Sequence, residues 1–263
     1  MSDLLSTIKN IVVHAARLEL MPRYQHVQRQ HKLDGSVITE ADMAMQDHIC
    51  ASIQQHWPEH VILSEEMTQQ EQTQALQSDK PVWCLDPLDG TSNFAAGIPY
   101  FAVSIALIKN GRVDLGVVYD PVRDECFSAT NQQPAQLNNQ LLMIEGLAPA
   151  LKQSTAIVDF KRLTEGLALR VIKERPFASQ RNFGASALDW CWIAAGRGHI
   201  YLHGSQNLWD YAAGHLILQQ AGGYSITLEG EPVFKQGLEK RSVIAAMDKV
   251  LFTDWVTWVN ACT

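Results

Sequence analysis

A short apolar run, Val82-Trp83-Cys84-Leu85, leads straight into Asp86-Pro87-Leu88-Asp89-Gly90-Thr91-Ser92-Asn93-Phe94. The run reads as a buried strand, and a buried strand tolerates no unpaired charge. The strand ends in two aspartates three residues apart. Pro87 stiffens the backbone between them. Gly90 permits a tight turn and a close approach by a ligand. Thr91 and Ser92 suit the cap of a short helix. Two carboxylates beside a helix N-terminus can gather hard cations and hold a phosphate against them. Taken alone, the same segment also fits an Asx turn with surface carboxylates.

Two further acidic segments have the character to join it. Ser64-Glu65-Glu66 follows a short apolar strand at residues 61–63. Asp210 sits in the first turn of a helix expected over residues 208–220, beside Trp209 and the small residues Ala212, Ala213 and Gly214, which suit close packing on another backbone. Each has an ordinary alternative, a solvated strand end in one case and a dipole-favoured acid in the other. Thr39-x-x-Asp42 fits a capping-box start to a helix, and on the residues alone that role and a catalytic one stand level.

The remaining pattern predicts an α+β protein. Apolar spacing gives helices from Leu4 to Leu18, stopped by Pro22, and from near Thr39 to before Pro58. Strands follow at 61–63, 82–85, 101–108, 113–119 and 125–129, with Asn110-Gly111 marking a hairpin. Residues 69–80 read as a polar loop and 131–139 as a turn around Pro134. Beyond them come strands at 156–160, 199–202 and 243–246. Helices are expected at 164–174, 185–195, 208–220 (closed by Gly222-Gly223) and 250–259. The expected organisation is an antiparallel-leaning α+β unit over 1–150 carrying most of the acids. An α/β unit over 151–263 follows, supplying Asp210.

Charge narrows the partners. There are 21 basic and 28 acidic residues, so the formal charge is 21 − 28 = −7. That excludes an all-basic nucleic-acid surface, and no nucleic-acid polymer is expected as a partner. Five scattered cysteines without C-x-x-C spacing suit reduced thiols in the cytoplasm. Asp3, Lys9 and Asn10 interrupt the first apolar stretch, so no secretory signal is expected. No run of about 18 apolar residues suggests a membrane span. His199, Tyr201 and His203 alternate along an expected strand and would share a face, but no third ligand at metal spacing accompanies them.

Taken together, the Asp-Pro-Leu-Asp-Gly-Thr segment at 86–91 and the Trp-Asp-x-Ala-Ala-Gly segment at 209–214 resemble the two signatures of the inositol monophosphatase family. Gly184-Ala185-Ser186-Ala187-Leu188-Asp189, Ala194-Ala195-Gly196-Arg197 and residues 32–42 are similar to its pattern as well. The resemblance implies a layered α/β/α/β/α sandwich, a homodimer, lithium sensitivity, and Mg²⁺-dependent hydrolysis of an inositol-1-phosphate-like monoester by metal-activated water. It implies two to three Mg²⁺ ions. Glu65, Asp86 and the Leu88 carbonyl would bind one, Asp86, Asp89 and Asp210 a second, and a third would be held through water near Glu65. Asp42 and Thr91, with Glu65, would be catalytic. Gly90 and Thr91 would cradle the phosphate, and Gly184, Ala185, Ser186 and His203 would line the substrate pocket. His203 stands where the family usually has a substrate-contacting Glu, which leaves room for a 3′(2′),5′-bisphosphate nucleotidase, a sugar or histidinol phosphatase, or a non-catalytic binding protein.

Overall fold

Alternation decides the large sheet. In the strand that begins at Val82, Trp83 and Leu85 point to one core, and Val82 and Cys84 to another. The next strand repeats this, with Val103, Ile105 and Leu107 facing the first core and Ala102 and Ala106 the second. A sheet apolar on both faces must be covered on both, and helices do the covering here.

The computed structural model describes residues 2–26, 30–31, 37–144, 146 and 148–261. Residues 32–36 of the family-like segment and Cys262 lie outside them. Helix α1 (Ser2–Ala15) continues through a π-helical turn (Ala16–Leu20). A two-residue ribbon pairs β1 (Gln30–His31) with β2 (Val37–Ile38) ahead of α2 (Glu40–His56). Then come β3 (Val61–Ser64), α3 (Gln69–Leu76), β4 (Val82–Asp89), α4 (Thr91–Ala96), β5 (Ala102–Lys109), β6 (Arg112–Asp120), β7 (Glu125–Thr130), β8 (Gln133–Leu137) and β9 (Gln140–Leu141). These strands form one seven-stranded sheet in sequence order, with only β3 and β4 parallel.

The second sheet has the order β11-β10-β12-β14-β13. It is built from β10 (Thr155–Asp159), β11 (Ser179–Arg181), β12 (Ile200–Gln206), β13 (Tyr224–Ile226) and β14 (Arg241–Ala246). Four helices are interleaved with these strands: α5 (Glu165–Glu174), α6 (Ser186–Ala194), α7 (Leu208–Gln220) and α8 (Lys249–Asn260). Helices α1 and α2 cover one face of the large sheet, α6 and α7 fill the space between the sheets, and α5 and α8 cover the outer face of the small one. The result is the five-layered α/β/α/β/α sandwich. The seven strands all precede residue 142 and the five all follow residue 154.

Three local expectations change. Residues 69–80 hold a helix rather than a loop. Thr68 and Glu71 form a capping box, and Gln72 reaches back to the Ser64 carbonyl at 2.9 Å. Residues 131–139 contain β8 rather than a turn, and Pro134 falls at the register irregularity opposite β7, where no ladder N–H is required. Strand β4 does not stop at Leu85 but runs on to Asp89, with a register shift between Asp86 and Asp89 that accommodates Pro87.

The inner helix α7 lies very close to the large sheet. A Cβ on Gly116 of β6 would come within 2.8 Å of the Ala213 Cα. Gly116→Ala is therefore expected to destabilise the protein by about 1–3 kcal/mol, read as a lower urea midpoint. An unchanged midpoint would mean that α7 is not seated on this strand.

Candidate metal centre

Parallel pairing of β3 and β4 sets their carboxyl ends side by side, and the Glu65 amide donates to the Leu85 carbonyl at 3.1 Å. Glu65 thereby leaves β3 next to Asp86. The Gln72 side chain also donates to the Glu65 carbonyl at 3.3 Å, so α3 fixes this corner. Asp86 pairs in register with Ser104 of β5, whose hydroxyl donates to the Trp209 carbonyl at 3.1 Å. That bond ties the start of α7 to the sheet one residue before Asp210. Main-chain geometry thus brings Glu65, Asp86 and Asp210 together, with one oxygen of each within 4.8 Å of the others.

Asp89 lines the same cavity but turns towards α6. Its Oδ1 accepts from the Ser186 amide at 3.2 Å and its Oδ2 from the Ala187 amide at 2.7 Å. Asp210 Oδ2 accepts from the Asn207 amide at 2.8 Å, and Asp86 Oδ1 from the Leu88 amide at 3.0 Å. Burial, then the charges of Glu65, Asp89 and Asp210, push Asp86 far above the ordinary carboxylate range. Burial and the charge of Asp210 do the same to Asp89. Burial and Glu65 raise Asp210 to about 7. An all-oxygen set of crowded, destabilised anions is the donor chemistry a hard divalent cation requires, so the residues fit Mg²⁺.

Beside the acids, Asp42 meets both roles open to it. Its Oδ2 accepts from the Thr39 amide and hydroxyl, each at 2.7 Å, closing the cap of α2. Its Oδ1 accepts from the Thr91 hydroxyl at 3.0 Å. The Thr91 hydroxyl is also 3.0 Å from the Leu88 carbonyl. Burial raises Asp42, offset in part by the hydrogen bonds from Thr39 and Thr91. Thr91 does not cap α4. Gly90 holds that position with a left-handed φ of 90°, and a Cβ there would meet the Tyr100 carbonyl and Ala185 Cβ at 3.1 Å. The turn needs glycine for both reasons.

A cavity of about 260 Å³ joins Glu65, Asp86, Asp89, Asp210 and Thr91, leaves Asp42 buried behind Thr91, and is also lined by Gly184, Ser186, Asp159, Lys161, Arg162, Asp189, His203, Ser205 and Asn207. Asn93 anchors the Gly184 turn by donating to the Phe183 and Tyr100 carbonyls at 2.7 and 2.8 Å. Ala185 is buried behind Gly90 and is not part of the lining. His199 precedes β12 and accepts from the Thr155 amide, so it does not join His203 in the cavity.

This geometry matches a known group of proteins. The model of the inositol monophosphatase family matches residues 3–260. The chain belongs to the inositol monophosphatase family. It is 34% identical to Nus factor SuhB of Pasteurella multocida over 233 residues, 84% of this chain and 85% of that protein. It is 37% identical to inositol monophosphatase 1 of Solanum lycopersicum over 199 residues, 73% and 72% of the two. The crystal structure of the extragenic suppressor protein suhB from Bartonella henselae superimposes with a TM-score of 0.87 at 26% identity, covering 99% of this chain and 100% of that one. No helix among the described residues is long and apolar enough to cross a membrane.

Several cavity residues escaped the sequence reading. Asp159, and Ser104 which supports the site from outside the lining, are placed by strand register, which leaves no motif. Asn207-x-x-Asp210 does carry a legible cap signal, and Asp189, which accepts from the Tyr100 hydroxyl at 2.9 Å, lies in the first turn of α6.

The raised acids give a sign to the pH dependence. In the unfolded chain they lose their protons near pH 4, and in the metal-free fold they hold them to higher pH. Their contribution to stability is complete below the unfolded value and is lost as pH rises through about 7, where Asp210 titrates. Mg²⁺ is therefore expected to raise the thermal midpoint more at pH 8 than at pH 5, by about 3 °C or more, roughly 1 kcal/mol at this chain length. Equal shifts at both pH values would separate the cation from these carboxylates.

Proposed function

We propose that the protein is a Mg²⁺-dependent phosphomonoesterase acting on a small inositol-1-phosphate-like ester. The observation that carries this reading is the convergence of oxygens of Glu65, Asp86 and Asp210 within 4.8 Å of one another, in a cavity also lined by Thr91, which is bonded to Asp42. Glu65, Asp86 and the Leu88 carbonyl would hold one ion, and Asp86, Asp89 and Asp210 another, with a third near Glu65. Asp89 can serve an ion alongside its two amide partners, since a carboxylate offers about four lone-pair sites. The ions supply charge neutralisation of the ester and acidification of the attacking water.

The chain's own groups do the rest. The Thr91 hydroxyl lies 3.0 Å from both Asp42 Oδ1 and the Leu88 carbonyl, and with its proton directed to Asp42 its lone pairs would accept from a water placed for attack. The proton then passes to Asp42, whose affinity for it is raised by burial. The P–O bond to the alcohol breaks on the opposite side, and the departing alkoxide would take a proton from a water beside Asp210. Gly90 and the first amides of α4 face the phosphate oxygens, where developing charge is stabilised without side-chain reorganisation. Gly184 and Ser186 border the organic part of the ester.

Asp86→Asn and Asp210→Asn are each expected to lower Mg²⁺-dependent phosphate release at least about 10³-fold with circular dichroism unchanged. Thr91→Ala and Asp42→Asn should lower kcat by about 10²–10⁴-fold. Full turnover in either ligand variant would refute the metal roles. A panel of inositol 1-phosphate, 3′-phosphoadenosine 5′-phosphate, histidinol phosphate and fructose 1,6-bisphosphate separates the substrate branches. The bacterial relative's name, Nus factor, supports a regulatory reading as a second possibility. Failure of every ester at millimolar Mg²⁺ would favour it.

A further inference from the structure

His203 and Asp159 face each other across the parallel β10–β12 pair, in register, Asp159 as the last residue of β10 and His203 in the middle of β12. Both ring nitrogens of His203 are already engaged. The Ser205 amide donates to Nδ1 at 3.1 Å, which leaves Nε2 as the N–H, and Nε2 lies 3.2 Å from Asp159 Oδ2. The side chain is only 5% exposed. The ring therefore has no polar atom left to offer a ligand.

Asp159 is in the opposite condition. Its Oδ1 accepts from the Lys161 amide at 2.9 Å and its Oδ2 from His203, which uses two of about four lone-pair sites. Its side chain keeps 20% exposure and lines the same cavity as Glu65, Asp86 and Asp210. Burial pushes Asp159 up, but the hydrogen bonds from His203 and Lys161, with Arg162 nearby, outweigh it and hold the carboxyl below its usual range. An ionised acceptor with spare lone pairs, oriented from two sides, faces the space next to the acidic cluster.

We infer that Asp159 reads the hydroxyl groups of the ester's organic moiety, and that His203 is a positioning residue that orients Asp159 without touching the ligand. This rests on the phosphatase reading of the same cavity. Hydroxyls are the donors it selects. Lys161 and Arg162 also line the cavity, so a ligand ammonium would enter a corner already supplied with positive charge. A polyol brings donors without charge.

The test is calorimetric binding of myo-inositol 1-phosphate, 2-aminoethyl phosphate and inorganic phosphate to the whole protein, with Ca²⁺ in place of Mg²⁺. Asp159→Asn should weaken inositol 1-phosphate about 10-fold or more and leave inorganic phosphate within about twofold. His203→Gln, whose amide can still donate to Asp159, should keep most of the affinity. His203→Ala should lose some, but less than Asp159→Asn. The assignment is overturned by an Asp159→Asn affinity for inositol 1-phosphate within twofold of the parent, or by equal losses for phosphate. A larger loss in His203→Ala, or a loss greatest for the aminoethyl ester, overturns it too. Turnover with Mg²⁺ is measured separately. Binding that follows the expected pattern without phosphate release keeps Asp159 and rejects the phosphatase reading.

Discussion

Mutual repulsion among crowded carboxylates, one buried and two half-buried, governs this molecule. Glu65, Asp86 and Asp210 come from a strand end, a strand interior and a helix start, and their oxygens lie within 4.8 Å of one another. Left alone such a cluster opposes folding, because like charges face one another and Asp86 is removed from water. The backbone must force it. The parallel β3–β4 pair does so for Glu65 and Asp86, and the Ser104–Trp209 bond does so for Asp210. Most of the sandwich serves that arrangement. The alternating apolar faces of β4 and β5 bury the strand that carries Asp86, and Gly116 lets α7 approach closely enough to deliver Asp210.

The acids also hold the structure that holds them. Asp42 closes the cap of α2 while receiving the Thr91 hydroxyl. Asp89 accepts two amides at the start of α6, and Asp210 accepts the Asn207 amide at the start of α7. Asp89 and Asp210 thus line the cavity while main-chain amides set their orientation, and Asp42 is buried behind Thr91, which lines the cavity. Such orientation is what a preorganised electrostatic site requires. It also means that Asp→Asn substitutions can keep much of the cap while removing the charge.

The strand leading to Asp86, the Asn110-Gly111 hairpin and the helix at 208–220 were legible because each rests on local signals: an apolar run, a turn dipeptide and a helical face closed by glycines. The helix at 69–76 was hidden by its polar composition, although its Thr68–Glu71 box was in plain view. The extension of β4 through Pro87 could not be read, since a register shift depends on the neighbouring strand. In the site, the acids of the two signature segments were visible as residue types, whereas the way Asp89 turns to α6 and the pairing of Asp159 with His203 are products of tertiary register.

The central claim is that these acids converge to hold a divalent cation. The most direct measurement is anomalous diffraction from a crystal soaked in Mn²⁺ as a Mg²⁺ substitute. The account requires manganese against oxygens of Glu65 and Asp86, and against oxygens of Asp86 and Asp210, at about 2.1–2.2 Å, within the range for hard-cation oxygen ligands. A fully soaked crystal with manganese elsewhere, or with none against these three side chains, would contradict it.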